Sequence, residues 1–155
     1  MAIVHIRIDD RLIHGQVAMI WTGSLSATRI MVVDDDASKS ELVKMSLKLA
    51  TPSGVSLSVL TIDKAASRIL DGAYEGQRVL LVIKSPENLL KLIKAGVMIS
   101  HANIGNLSTK EPYMRYSDTV SMTESQIETC KQLRKLDVQL TMQLLPTHET
   151  SEIIF

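Results

Sequence analysis

The sequence is short of the residues that build most familiar binding devices. It holds a single cysteine, Cys130, so no internal disulfide forms and no thiolate cage holds a metal, the usage of an intracellular chain. Aromatic residues make up 3% of it, too few for a platform that stacks bases or flat sugars. Neither sign of charge prevails: 17 Lys and Arg balance 17 Asp and Glu. That argues against a nucleic-acid partner and gives no general attraction to acidic membranes. Long apolar runs are missing too. The longest, such as Val79 to Ile83, fall far short of a membrane span, and Asp9 and Asp10 arrive too early for a signal-peptide core. There is no Walker-type GxxxxGK, no GxGxxG after the first strand and no GxSxG elbow. His5, His14, His101 and His148 are too scattered for a linear metal motif. No cofactor and no metal are expected, and a nucleotide-binding enzyme on a similar fold is disfavoured.

What is present is the composition of a folded core, 45% hydrophobic and 22% charged over 155 residues. One cytoplasmic domain spanning residues 1–155 is expected. Strand and helix periods alternate along it. Ile3–Ile8 reads as a strand with Val4, Ile6 and Ile8 on one face, and Gly15–Leu25 as a helix carrying Val17, Ile20 and Trp21. Arg29–Val33 is a short apolar strand ending in Asp34-Asp35-Asp36. A helix over Ser40–Ala50 follows, with Leu42, Met45 and Leu49 as its apolar stripe. Val55–Leu60 alternates as a strand, Asp63–Ala73 is helical, and Arg78–Ile83 is a continuous apolar strand. Ser85-Pro86 supplies a cap and a first-turn proline for a helix to about Ala95. His101–Ile104 and Thr119–Met122 are short strands around a polar loop. Thr123–Gln126 is a capping box opening a helix with Ile127, Cys130 and Leu133, and Val138–Leu144 is the last strand.

Such alternation predicts an α/β fold: an open, mostly parallel sheet with helices on both faces. The continuous apolar strands Arg29–Val33 and Arg78–Ile83 belong in the centre. The alternating ones, Val55–Leu60 and Val138–Leu144, belong nearer the edges.

Ligands of an open α/β sheet bind beyond the carboxyl ends of its strands, where loops meet helix amino termini. The first such loop is Asp9-Asp10-Arg11-Leu12-Ile13-His14-Gly15-Gln16. A neutral His14 imidazole there is a nucleophile. A phosphoryl group on it would meet the first N–H groups of the helix, at Gly15 and Gln16, and the positive end of its dipole. Gly15 permits close backbone approach, Arg11 brings a fork-shaped permanent cation, and Asp10 is placed to orient Arg11 or the histidine. The same residues also describe a capped helix start with a surface histidine. Lys84 and Ser85, ahead of another helix, are candidates for a phosphate pocket, although capping alone accounts for Ser85. Asp34–Asp36 reads as a solvated acidic loop or a divalent-ion site, with the loop favoured. Cys130 and His5 read as packing, and His101 as structural or reaching the site from the fifth strand.

Arg7-Ile8-Asp9-Asp10-Arg11-Leu12-Ile13-His14-Gly15-Gln16-Val17 resembles the active-site signature of the enzyme IIB components of the mannose/sorbose-family sugar phosphotransferase system. The likeness continues through Trp21, Val32–Asp35, Arg78–Pro86, Asn103–Asn106, Val120–Thr123 and Leu144–Thr147. It implies an open α/β sheet of seven strands. It also implies that His14 is phosphorylated on Nδ1, the pros nitrogen, by enzyme IIA. The phosphoryl group then passes to a sugar carried by the membrane components IIC and IID, so that the chain works in the cytoplasm beside the transporter. A regulatory module that keeps the phosphohistidine without sugar transport is the rival reading. Many such proteins carry Gly-Gly-Met where this chain has Gly105-Asn106-Leu107, and the Asn form resembles the N-acetylgalactosamine or galactosamine branch. The Pro112–Tyr116 loop is less typical and receives no role.

Overall fold

A computed structural model describes residues 2–109, 111, 113–153 and 155. In chain order the elements are β1 (Ile3–Asp9), α1 (Gly15–Leu25), β2 (Arg29–Val33), α2 (Asp35–Lys39), α3 (Glu41–Ala50), β3 (Ser56–Leu60), α4 (Ile62–Leu70), β4 (Val79–Ile83), α5 (Pro86–Lys94), β5 (His101–Asn106), β6 (Met114–Arg115), β7 (Ser121–Met122), α6 (Glu124–Lys135), β8 (Gln139–Met142) and β9 (Ser151–Glu152). Seven strands form one sheet in the order β3-β2-β4-β1-β5-β8-β9. Its pairs are parallel except β8 with β9. The α/β architecture read from the alternation is the one observed.

Burial explains the order. Every residue of β4 is buried, because α1–α3 cover one face of the sheet and α4–α6 the other. Ile30, Val32, Leu80 and Val82 pack toward Ala18, Trp21 and Leu47. On the opposite face Ile6, Ile8, Met31, Val33, Leu81 and Ile83 meet Ala65, Leu89, Leu92, Cys130 and Leu133. The alternating strand β3 lies at the edge, with Ser56 exposed. Cys130 is in the core, where burial pushes its thiol up to about 12.

Helix starts are settled by side-chain oxygens that accept orphan N–H groups. Asp34, Ser40, Thr61, Ser85 and Thr123 cap α2 to α6 in this way. The acidic run therefore opens a helix instead of forming a loop, with Asp35 and Asp36 exposed. Asp34 is buried and accepts from Ala37 N at 3.0 Å, while Asp35 Oδ1 accepts from Ile62 N at 2.8 Å and ties α2 to α4.

Two further expectations change. The stripe Leu42, Met45 and Leu49 does not face the core: these side chains are 75%, 63% and 83% exposed, and Leu47 is the buried residue of α3. Helix α3 lies over the margin of the sheet, next to the edge strand, so its outer side has no neighbour among the described residues. Farther on, β8 stops at Met142, because Gln143 and Leu144 turn their carbonyls to buried donors instead of to a strand. β9 then forms the margin, and β5 runs on to Asn106, past the expected end at Ile104. In the Pro112–Tyr116 loop Pro112 lies outside the described residues, while Met114–Arg115 pairs with Ser121–Met122 as a short antiparallel ribbon.

Candidate active site

β1 ends beside the carboxyl ends of β4 and β5, with Ile8 level with Ile83 and Asp9 with Asn106. The chain leaves β1 through a tight turn in which Leu12 N donates to Asp9 O at 3.0 Å. Leu12 has φ 63°, a left-handed conformation for a residue with a Cβ, and only 8% of it is exposed. Such backbone costs about 1 kcal/mol or more and persists where packing enforces it. Leu12 and Ile13 are buried in the core beneath α1, so the turn lifts His14 to the surface.

His14 is the N-cap residue of α1, with extended backbone (φ −109°, ψ 110°) and no side-chain cap bond. Helix α1 is thus the exception among the six. Its first internal bond is Ala18 N to His14 O. Among the described residues, the N–H groups of Gly15, Gln16 and Val17 have no hydrogen-bond acceptor. Uncapped donors at the positive end of a helix beside an exposed imidazole form an anion cradle. A Cβ on Gly15 would meet only Ala50 O, at 3.8 Å. Packing inside the chain therefore does not require the glycine.

Arg11 is held by Asp9. Oδ1 of Asp9 accepts from the Arg11 backbone N at 2.9 Å and from Nε at 3.1 Å, and Oδ2 accepts from NH2 at 3.0 Å. This fork leaves Arg11 NH1 without a partner among the described residues. The Asp9 carboxylate is 1% exposed and also receives Arg7 Nε at 3.3 Å. Arg7, itself 3% exposed, donates through NH1 to the carbonyls of Gln143 and Leu144, each at 3.1 Å. Burial pulls the Arg7 pKa down and the Asp9 charge opposes that shift. Two arginines on one buried carboxylate leave one net positive charge under the loop.

The space for Arg7 comes from Gly105 on β5, where a Cβ would fall inside the guanidinium. Trp21 Nε1 and Asn103 Nδ2 also donate to Leu144 O and Gln143 O, both at 2.8 Å. Donors from β1, α1 and β5 thus fasten the segment after β8 beside the His14 loop. Arg7, Asp9 and Gly105 appear in the sequence only within longer motifs, and no role in holding Arg11 was read for them. A charged alternation, Arg7-Asp9-Arg11, running from the end of a mostly apolar strand into the loop was the available signal.

The other candidates sit elsewhere. Asp10 orients neither Arg11 nor His14; its carboxylate accepts from Asn106 Nδ2 at 2.7 Å and Ser108 N at 2.8 Å, pinning the loop to the end of β5. Ser85 caps α5 by accepting from Asn88 N at 3.2 Å. Lys84 is exposed just beyond β4, on the same edge of the sheet as His14. His101 begins β5, at the end of the sheet away from His14, and its Nε2 bonds Thr141 Oγ1 at 2.9 Å. His5 stacks on Trp21 with ring centroids 4.6 Å apart. Burial first, then the nearby His101 and Arg7, lower its pKa to about 4. The recess under His14, lined by Arg7, Leu12, Val17 and Trp21 among others, has a free volume of about 10 Å³, room for no more than a water molecule. This recess does not enclose a sugar.

Residues 3–154 match the family model described as PTS system sorbose subfamily IIB component. A fructose-specific EIIB component of Bacillus subtilis is 33% identical over 99% of this chain and 94% of its own length. An N-acetylgalactosamine-specific phosphotransferase enzyme IIB component 2 of Escherichia coli is 30% identical over 97% of this chain and 96% of its own. The crystal structure of the IIBSor domain of the sorbose permease from Klebsiella pneumoniae superposes with a TM-score of 0.91. It covers 98% of this chain and 93% of that one, at 30% identity.

Proposed function

The chain belongs to the sorbose subfamily of phosphotransferase-system IIB components, and on that premise we propose that it is the phosphoryl carrier of a sugar-uptake system, with His14 as the carrier residue. The donor is the phosphohistidine of enzyme IIA. His14 Nδ1 attacks the phosphorus, the donor's P–N bond breaks as the new one forms, and the donor imidazole recovers the proton that the His14 ring gives up. In the second step a sugar hydroxyl attacks, the P–Nδ1 bond breaks, and the imidazole leaves with the hydroxyl proton, restoring neutral His14. Both steps pass through a loose transition state with charge on the equatorial phosphoryl oxygens.

The observation that carries this reading is the uncapped start of α1 at His14, preceded in the same loop by a guanidinium already locked by Asp9. Arg11 and the Gly15 and Gln16 N–H groups stabilise the developing charge without reorganising. Asp10, turned toward β5, keeps its own charge off the phosphoryl group. No sugar fits in the small recess under His14, which agrees with an acceptor presented by the membrane components IIC and IID. Among the described residues, no helix is long and apolar enough to cross a membrane. A carrier between enzyme IIA and the transporter works in the cytoplasm, against the membrane components. The acceptor is a hexose or an amino sugar, and the Gly105-Asn106-Leu107 sequence makes N-acetylgalactosamine the first to assay. Asn106 supports that choice only indirectly, because its amide is engaged by Asp10.

The test is a chase. Protein labelled with radioactive phosphate is mixed with vesicles containing IIC and IID and candidate sugars. Loss of label from the protein with formation of a sugar phosphate is expected. Label that stays on the protein with every sugar, in vesicles active with another IIB, would favour the regulatory module instead.

A further inference from the structure

Arg7 is a cation in a place where a strand usually carries an apolar residue. It is 3% exposed, on the strand that lies between β4 and β5 in the sheet. Three features accommodate it. Gly105 omits the side chain that would collide with the guanidinium, and Gln143 and Leu144 turn their carbonyls to its NH1. Asp9 Oδ2 lies 3.3 Å from both its Nε and its NH2. Stability alone does not account for this arrangement, because replacing a buried ion pair by apolar residues of similar size often leaves stability unchanged or raises it.

Charge does account for it. Asp9 holds the Arg11 guanidinium through Nε and NH2. A lone Asp9–Arg11 pair is neutral, so the contact that preorganises Arg11 would also cancel the charge that attracts a phosphoryl dianion. Arg7 beneath the same carboxylate removes that conflict. Asp9 still fixes Arg11, and the three groups together keep one positive charge. The other acid of the loop does not undo this: Asp10 is partly exposed, accepts from the neutral Asn106 and Ser108, and is screened by water.

That charge lies close to the carrier residue. Arg7, Asp9 and His14 line one recess, whose free volume of about 10 Å³ admits no more than a water molecule. Apolar side chains such as Leu12, Val17 and Val82 make up most of the rest of its wall. Across so dry a gap a charge acts more strongly than across bulk water. Arg7 itself does not reach the phosphoryl group, since each nitrogen of its guanidinium faces Asp9 or a backbone carbonyl.

We propose that Arg7 is a positioning residue for phosphoryl transfer: by balancing Asp9 it lets Arg11 be fixed and cationic at once, and so stabilises the phosphoryl dianion on His14. This assignment rests on the carrier reading above and adds to it a buried group that the phosphoryl group never touches.

The readout is the equilibrium of transfer. Labelled phospho-IIA is mixed with this chain, and the partition of label between the two proteins gives the equilibrium constant. A residue that only stabilises the fold supports the free and the phosphorylated carrier alike, and leaves that constant unchanged among folded molecules. Arg7→Met and Arg7→Gln remove the charge, whereas Arg7→Lys keeps it and loses the fork. All three should be less stable than wild type in urea, so the partition is measured at a temperature at which circular dichroism shows each one folded. The expected constant is roughly tenfold lower in the two neutral variants and within about threefold of wild type in Arg7→Lys. An unchanged constant in a folded neutral variant overturns the proposal. So does a constant in Arg7→Lys as low as in the neutral variants, which would give the effect to the fork and its carbonyl bonds. Should neither neutral variant fold, Arg7→Lys decides alone: a constant near wild type supports the charge, and a fall of roughly tenfold overturns it. Wild-type protein that takes no label from a phospho-IIA active on another carrier would instead sink the carrier reading itself.

Discussion

Replacing Asp9 by Asn removes a charge that two arginines share while keeping nearly the same volume. Arg7 and Asp9 are 3% and 1% exposed, so the guanidinium left behind has little water to turn to. Breaking a buried pair from one side costs about 3–5 kcal/mol. Arg7 keeps its two carbonyl bonds to Gln143 and Leu144, and the Asn oxygen still accepts, which places the loss at the low end, about 3 kcal/mol. For a chain of 155 residues that is a fall in Tm of roughly 6–12 °C, at about 2–4 °C per kcal/mol. Urea unfolding at pH 7 measures the free energy and calorimetry the midpoint. The double variant Arg7→Met/Asp9→Leu should recover at least half the loss, because an apolar pair strands no charge. A loss under about 1 kcal/mol for Asp9→Asn, or a double variant less stable than the single, would refute the shared-carboxylate argument. With its fork released, Arg11 should also become mobile, and labelling of His14 should slow even where the protein is fully folded.

Arg11→Ala should slow phosphoryl transfer by roughly 10²–10³-fold, the scale for removing one preorganised charge donor, with the circular-dichroism spectrum unchanged; quenched-flow labelling measures it. Gly105→Ala puts a methyl where the Arg7 guanidinium lies, and about 1–3 kcal/mol of overpacking strain is expected in urea unfolding. His5, with its pKa near 4 in the folded chain and about 6.5 when unfolded, titrates first in the unfolded state. Its contribution is complete above pH 6.5 and drains away as pH falls toward 4, by at most about 3 kcal/mol. The lowered pKa of His101 acts with the same sign. His5→Phe, which keeps an aromatic ring on Trp21, should flatten the fall in urea midpoint between pH 7 and 4.5.

The fold was legible because its two periods differ sharply. β2 and β4 announced themselves as buried strands by continuous Val, Leu and Ile, and β3 as an edge strand by alternating Ser. Where reading failed, tertiary position had overruled a local pattern. Leu42, Met45 and Leu49 have the spacing of a core face, yet α3 lies over the margin of the sheet and turns that face outward. Asp34-Asp35-Asp36 looked like loop chemistry and proved to be two helix-start contacts. In the site, His14 and Arg11 were visible as residue types at the end of a strand, and the structure puts His14 at the start of α1 and Arg11 in the turn before it. Which of two adjacent aspartates holds Arg11 depends on the pleat: Asp9 points inward beside Arg7, and Asp10 turns toward Asn106. The space that Gly105 leaves for Arg7 depends on the register of β1 with β5, which no single stretch of sequence displays.

The central claim is that His14 itself carries the phosphoryl group. Wild-type protein and His14→Ala, incubated with phosphoenolpyruvate, the general phosphotransferase proteins and a cognate IIA, would be compared by intact mass before and after mild acid. The account predicts one acid-labile phosphoryl group on the wild type and none on the variant. A phosphoryl group of equal stoichiometry on His14→Ala, or one that survives acid, would contradict it.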